Sequence, residues 1–200
     1  MRKWQGHSVV MGRTGSGKTH YVLNTLLPHF AKKKYPVLYY NGGHEPAASF
    51  GADCVLVDGA DATRQIRHLL YTCRSIVYTP DISLTIARAE LRYWQEQLMS
   101  RRYDVVLVVD EAQRYAPQGS IDTPLHQLAT GGRRWGISCY FVCQRIADLS
   151  KTLATQAQEW IIFAHSQIDA DYLRARGIDM SAEEALKLSA EKYSYLLKKA

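Results

Sequence analysis

The sequence predicts an α/β fold in which a mainly parallel sheet is covered by helices on both faces. Short apolar runs such as "HSVVM" and "VVLVVD" alternate with segments of helical periodicity. Because these runs lack outward polar alternation, they are typical of parallel strands buried on both sides. The first run leads into a glycine-rich turn and then a helical pattern, the strand–loop–helix context of a phosphate-binding loop.

The predicted elements follow one another without an internal repeat, a low-complexity tract or an obvious linker. "HSVVM" is a buried strand, and Lys18 to about Lys34 is a helix with an apolar face. "PVLYY", "CVLVD" and "SIVYT" are further strands, and residues 83–101 repeat apolar side chains at helical spacing. "YDVVLVVD", a short helix and loop, "GISCYFVCQ", a helix, "EWIIFAH" and another helix complete the alternation. We interpret residues 1–200 as a single domain, with a small helix and an edge strand at 178–200.

Composition limits the class of protein. Lys and Arg number 25 against 19 Asp and Glu, which gives a net charge of +6 and favours a polyanionic partner such as nucleic acid, although many enzymes are as basic. The four cysteines have no zinc-binding spacing, so we interpret them as reduced thiols of a cytosolic protein. The longest aliphatic run, Val105–Val109, predicts no membrane insertion of its own.

The stretch "GRTGSGKT" matches the phosphate-binding motif G-x-x-x-x-G-K-[ST] completely. Its glycines let backbone N–H groups turn toward phosphate oxygens, and the following helix presents its positive end. We expect Lys18 to reach the β- and γ-phosphates of ATP, and the Thr19 hydroxyl to ligate Mg²⁺. The predicted nucleotide-binding residues are Gly12, Arg13, Thr14, Gly15, Ser16, Gly17, Lys18 and Thr19.

Two further strand ends carry polar residues suited to nucleotide hydrolysis. "VVLVVDEA" ends in Asp110, a predicted second contributor to the Mg²⁺ shell, and Glu111 follows as a candidate to orient or deprotonate water. Gln144 ends another buried strand, and strand carboxyl ends of a parallel sheet converge on the ligand crevice. Gln144 is therefore a candidate sensor of the γ-phosphate. Glu111 and Gln144 also have ordinary structural interpretations, as a helix cap and as a polar strand end.

The combination "GRTGSGKT", "VVLVVDEAQRYAP", "GGRRWGIS" and "CQRIADLS" resembles the HerA/FtsK superfamily of DNA-pumping ATPases. Within it, the short chain and early phosphate-binding loop are similar to genome-packaging ATPases of tailless icosahedral viruses with an internal membrane. The resemblance implies a RecA-like sheet, with the Gln144 strand inserted between the two nucleotide-binding strands. It also implies a DNA-translocating ring, hexameric or pentameric, acting at a viral capsid vertex or on a membrane protein, in the host cytoplasm or in the virion.

The resemblance further implies an arginine supplied to the neighbouring subunit's nucleotide. Arg133 matches that position best, and Arg134 is the second candidate. The loop after Glu111, "RYAPQGSIDTP", is a candidate DNA-facing loop that carries Arg114. An ordinary connecting loop is equally compatible with this segment. The sequence does not indicate which other residues contact DNA. The chain also departs from its relatives, because Gln113 stands where many have histidine.

Two other functions fit parts of the sequence. A membrane-linked phage assembly or secretion ATPase shares the motifs but usually adds a membrane span. A nucleoside kinase also combines a phosphate-binding loop with a "DEAQ" segment, but paired zinc cysteines are expected there and are missing here.

Trp4, just ahead of the first strand, is a candidate for stacking on adenine, with packing as its commoner role.

Overall fold

The structure is a computed structural model that describes residues 6–51, 54–58, 68–71, 75–100, 103–191 and 193–199. Trp4 lies outside these ranges. Within them, each helix is too short or too polar to cross a lipid bilayer.

In the described part of the chain, eight strands form one sheet. They are β1 (Ser8–Met11), β2 (Val37–Tyr40), β3 (Cys54–Asp58), β4 (Ser75–Thr79), β5 (Val106–Val109), β6 (Ser138–Cys143), β7 (Glu159–Ile162) and β8 (Leu196–Lys199). Their order across the sheet is β3-β4-β2-β5-β6-β1-β7-β8, and every pairing is parallel except that of β8 with β7. The predicted mainly parallel α/β sheet is therefore confirmed.

Helices connect these strands. They are α1, made of Lys18–Tyr21, a π-helical Val22–Leu26 and Leu27–Lys32, followed by α2 (Leu84–Ser100), α3 (Ala112–Tyr115), α4 (Pro124–Gly131), α5 (Lys151–Gln156), α6 (Gln167–Arg174) and α7 (Ala182–Ala190). Residues 68–71 are also helical. Two single turns matter below: the 3₁₀ turns Gly132–Trp135 and Ile146–Asp148.

The core has two layers because the sheet is buried on both faces. On one face, Leu91, Trp94 and Leu98 of α2 pack with strand residues such as Val9. On the other face, Phe30 of α1 packs with residues such as Val10, since successive strand residues point to opposite sides. This two-sided burial is what the unbroken apolar strands predicted.

The sheet order fixes where the candidate site lies. Strand β6 is inserted between β5 and β1, which confirms the RecA-like arrangement with an additional strand. Met11 lies in register with Cys143, so the phosphate-binding loop and Gln144 leave the sheet at the same level. Val109 lies in register with Phe141, two residues before the end of β6, so Asp110 follows β5 at a point slightly before the carboxyl end of β6.

Candidate nucleotide site

The glycine-rich turn joins β1 to α1 at the carboxyl end of the sheet. Gly17 has a φ of 111°, and a side chain there would meet the Tyr193 ring at 2.6 Å, so this position requires glycine. The ammonium of the buried Lys18 donates to the carbonyls of Gly12, at 2.6 Å, and Arg13, at 3.2 Å. The loop therefore holds Lys18 over its own backbone, at the end of the turn that the sequence predicts to bind phosphate.

The charge on Lys18 is set by two opposing effects. Burial lowers the pKa of its ammonium, and the negative charges of Glu111 and Asp110 partly offset that shift. The opposing charges show that the predicted lysine and both predicted carboxylates share one electrostatic site.

Asp110 is buried directly after β5. Its Oδ2 accepts a hydrogen bond of 3.0 Å from the Tyr39 hydroxyl, and its Oδ1 accepts one of 3.0 Å from the Glu111 backbone N–H. Burial, and secondarily the charge of Glu111, raises the pKa of Asp110 to about 6. Tyr39 is a site neighbour that sequence reasoning missed, because nothing in "PVLYY" indicates which strand β2 adjoins.

Glu111 has a left-handed backbone, with φ of 52°, and its carboxylate is held by two amides. The Gln144 Nε2 donates to Glu111 Oε1 at 2.8 Å, and the Gln113 side chain donates to Glu111 Oε2. The Thr14 hydroxyl in turn donates to Gln144 Oε1 at 3.1 Å. The structure thus brings the predicted Glu111 and Gln144 into contact and links both to the phosphate-binding loop.

The Gln113 contact gives a physical meaning to a departure noted in the sequence. Where the resemblance leads one to expect histidine, this chain has an amide that can donate to Glu111 without changing its own charge. Sequence reasoning recorded the substitution but not its partner.

Arg114 lies near this site but has partners within the chain. Its guanidinium donates to the Gly42 carbonyl at 2.8 Å, and its own carbonyl accepts a hydrogen bond of 2.8 Å from Arg88. Contact of Arg114 with DNA stays a prediction.

Arg133 and Arg134 lie away from the site just described. Both are exposed on the turn Gly132–Trp135, at the amino end of β6, whereas Gln144 follows its carboxyl end. A strand of six residues spans roughly 20 Å, well beyond the reach of an arginine side chain. Arg134 also lies over the Trp135 ring, 5.5 Å from its centroid. Neither arginine therefore reaches the nucleotide site of its own chain.

A cleft of about 520 Å³ opens beside the phosphate-binding loop, toward β7 and the C-terminal segment. Its residues are Arg13, Thr14, Gly15, Ser16, Ala164, Leu188, Ser189, Ala190, Glu191 and Tyr193. Sequence reasoning did not place residues 188–191 and Tyr193 here, because no local motif marks a distant segment that folds back over the loop.

Comparison with known proteins agrees with this arrangement. A family model described as "AAA domain" matches residues 1–144, which include the phosphate-binding loop, Asp110, Glu111 and Gln144. The chain belongs to the AAA domain family. No curated protein matches it significantly by sequence.

Solved structures share the fold of this AAA domain protein at low identity. The genome packaging NTPase B204 from Sulfolobus turreted icosahedral virus 2, in complex with AMPPCP, has a TM-score of 0.75 and 18% identity over 98% of this chain and 93% of its own. The DNA-packaging ATPase B204 from Sulfolobus turreted icosahedral virus has a TM-score of 0.71 and 18% identity over 97% and 92%. The pCW3 conjugation coupling protein TcpA has a TM-score of 0.59 and 18% identity over 97% of this chain and 57% of its own. The resemblance expected from the motifs is confirmed at the level of the fold.

The residues of the AAA domain protein also fit a magnesium ion. Thr19, half-buried at the start of α1, offers a hydroxyl, and Asp110 offers a carboxylate held in place by Tyr39. Magnesium prefers hard oxygen ligands and usually takes only one or two from the protein, the rest coming from water and substrate phosphates. This donor set matches that preference.

Proposed function

We propose that the chain hydrolyses ATP to translocate double-stranded DNA, and that it is the motor that packages a viral genome into a preformed capsid. The observation that carries the proposal is the grouping of Glu111, Gln144 and the phosphate-binding loop at the carboxyl ends of three adjacent strands. A carboxylate next to a sensing amide suits attack by water rather than transfer to a second substrate. The shared fold with packaging NTPases supports the choice of substrate polymer.

In this mechanism the side chains of Lys18 and Gln144 exchange their partners within the chain for phosphate oxygens. The Lys18 ammonium leaves the Gly12 and Arg13 carbonyls and turns to the β- and γ-phosphates. Gln144 turns its amide toward the γ-phosphate, which frees one oxygen of Glu111 to orient a water molecule. The water oxygen bonds to the γ-phosphorus as the bond to the β–γ bridging oxygen breaks, Glu111 accepts the proton of the water, and ADP leaves with the bridging oxygen. Thr19 and Asp110 would hold Mg²⁺, which would supply positive charge against the phosphates.

We further propose that Arg133, with Arg134 as the alternative, completes the nucleotide site of the next subunit. The position of the turn Gly132–Trp135 supports this, because an exposed arginine about a strand's length from its own site is available to a neighbour. An arginine acting in trans contributes roughly 10³- to 10⁵-fold to turnover in other NTPases. It requires a ring, which we propose is a hexamer or pentamer assembled on DNA at a capsid vertex or on a membrane protein.

The partner in this proposal is the DNA backbone. A motor that reads no sequence needs cations rather than base-reading groups, and the net charge of +6 agrees with that requirement. We propose that the protein acts in the host cytoplasm, with association with the virion as the further prediction.

The test is steady-state ATP hydrolysis with and without linear double-stranded DNA, over a series of protein concentrations. We expect DNA to stimulate turnover, turnover per chain to rise steeply with concentration, and both Glu111→Gln and Arg133→Ala to be inactive. Hydrolysis that ignores DNA and is linear in protein would refute the DNA-coupled ring and favour an assembly ATPase.

Mixing the two inactive variants isolates the trans arginine. In a mixed ring, an Arg133→Ala subunit keeps its own Glu111 and receives Arg133 from a Glu111→Gln neighbour, so hydrolysis returns. If the arginine acts within its own chain, every site in the mixture lacks one group and no activity returns. The same mixture with Arg134→Ala shows which arginine is used.

A further inference from the structure

The wall of the cleft opposite the phosphate-binding loop contains an unusual aromatic residue. Tyr193 has a φ of 66°, a left-handed conformation that is rare for a bulky side chain. Such a conformation persists only where its surroundings hold it, and it is found preferentially at ligand sites. Its ring packs directly on the backbone of Gly17, where the phosphate-binding loop enters α1.

A second ring lies beside it. The His20 imidazole and the Tyr193 ring are stacked, with centroids 4.9 Å apart and planes inclined by 10°. The Asn24 side chain contacts the same imidazole at Nδ1, at 3.2 Å. Tyr193 is still 44% exposed, so part of its surface faces solvent.

The order of the strands gives a bound nucleotide its direction. The groups that act on the γ-phosphate, Glu111 and Gln144, follow β5 and β6, which lie on one side of β1. We therefore expect the base of a bound nucleotide to lie on the other side of β1, toward β7 and β8. The cleft and Tyr193 lie on that side.

We propose that Tyr193, supported by His20, is the platform on which the base of a bound nucleoside triphosphate stacks. The inference rests on the proposed binding of nucleotide by the phosphate-binding loop, and it adds the residue that recognises the base. Aromatic rings stack on any base through its π-face, so this platform distinguishes a nucleotide from a bare phosphate chain. It also makes residues from the C-terminal segment part of the substrate site.

The experiment measures, by isothermal titration calorimetry with magnesium, the binding of the non-hydrolysable analogue AMPPCP and of inorganic tripolyphosphate. The proteins are wild type, Tyr193→Ala, Tyr193→Phe and the control Tyr195→Ala. Tyr195 is the matched control because it belongs to the same segment but packs on Tyr21 and Phe163, with ring centroids 4.9 and 5.5 Å away.

We expect Tyr193→Ala to weaken AMPPCP binding about ten-fold or more and to leave tripolyphosphate binding unchanged, because base stacking is lost and the phosphate grip is kept. Tyr193→Phe keeps the wild-type preference, and Tyr195→Ala shifts both ligands equally or neither. Unchanged tripolyphosphate binding also shows that the variant is folded.

Equal loss of both ligands in Tyr193→Ala would overturn the inference, since Tyr193 would then act on the loop rather than on the base. Unchanged binding of both would overturn it as well. If wild type binds neither ligand, the proposed nucleotide binding by the phosphate-binding loop is refuted together with this inference. If wild type binds AMPPCP with the expected preference but DNA does not stimulate hydrolysis, only the DNA-motor proposal fails.

Discussion

Replacing His7 with asparagine should make the stability of this protein much less sensitive to acid. His7 is buried just before β1 and its Nδ1 accepts a hydrogen bond of 3.1 Å from the Cys139 backbone N–H. Its own carbonyl accepts one of 2.8 Å from Gln158. Burial lowers the pKa of His7 to about 4 from an ordinary value of 6.5, and a hydrogen bond with the Ala129 backbone opposes the shift.

The direction of the pH effect follows from proton binding. Between pH 6.5 and pH 4 the unfolded chain binds a proton at His7 and the folded protein does not. The stability that His7 contributes is therefore fully present above pH 6.5 and is lost as the pH falls toward 4. The two pKa values are about 2.5 pH units apart, which corresponds to roughly 3 kcal/mol at about 1.4 kcal/mol per unit. This loss is a substantial share of the free energy of unfolding of a typical domain, which is about 5–15 kcal/mol.

The assay is urea unfolding of wild type and His7→Asn at pH 7 and pH 4.5. The asparagine carboxamide oxygen replaces Nδ1 as acceptor for Cys139 but does not titrate. At pH 7 the variant should be less stable by about 1–2 kcal/mol, because other contacts of the ring are lost. Between pH 7 and pH 4.5 it should lose roughly 2 kcal/mol less than wild type.

Carboxylates that titrate over the same range are common to both proteins, so they cancel in the comparison. The exposed His29 on α1 gives the comparison, since burial and then the charge of Lys33 also lower its pKa, but less than that of His7, so His29→Asn should change the profile in the same direction by a smaller amount. Equal pH dependence of wild type and His7→Asn, within about 0.5 kcal/mol, would refute the reasoning.

Three further outcomes follow from the contacts described. Gln113→Ala should lower kcat for ATP hydrolysis about ten-fold with KM unchanged, because Glu111 loses one of its two amide partners. Gln113→His, which retains a hydrogen-bond donor, should recover activity. A rise in KM alone would contradict this role. Gly42→Ala should lower the free energy of unfolding by about 2 kcal/mol or more in urea, since its Cβ would collide with a backbone carbonyl. Gly51→Ala, where a Cβ meets nothing within 4 Å, is the control, and equal effects would count against the explanation. Ser181→Ala should cost about 1 kcal/mol by removing the N-cap of α7, and Ser181→Asp should not; a thermal melt in which both behave alike would exclude a capping effect.

Features that depend on contiguous residues could be predicted from the sequence. The phosphate-binding loop needs only a strand, a glycine turn and a helix in succession, and the observed β1 and α1 flank it as expected. Likewise, Asp110 and Glu111 follow a buried strand whose apolar residues are adjacent in the chain.

Features that depend on which strands become neighbours could be inferred only in part. The position of β6 between β5 and β1 came from resemblance to a family rather than from periodicity, because local patterns carry no information on strand order. The Gln144–Glu111 contact follows directly once that order is known. The Gln113 contact does not, since it requires the left-handed turn at Glu111.

The sequence by itself thus determined the class of fold, the phosphate grip and the two carboxylates that follow β5. Each is encoded by local spacing and by the burial preferences of nearby residues. The tertiary structure decided the rest: the bridge from Thr14 to Gln144, the support of Asp110 by Tyr39, and the placement of Tyr193 against Gly17. These contacts join residues far apart in the chain, and they exist only because strand order and register bring the ends of the strands, and the C-terminal segment, to one edge of the sheet.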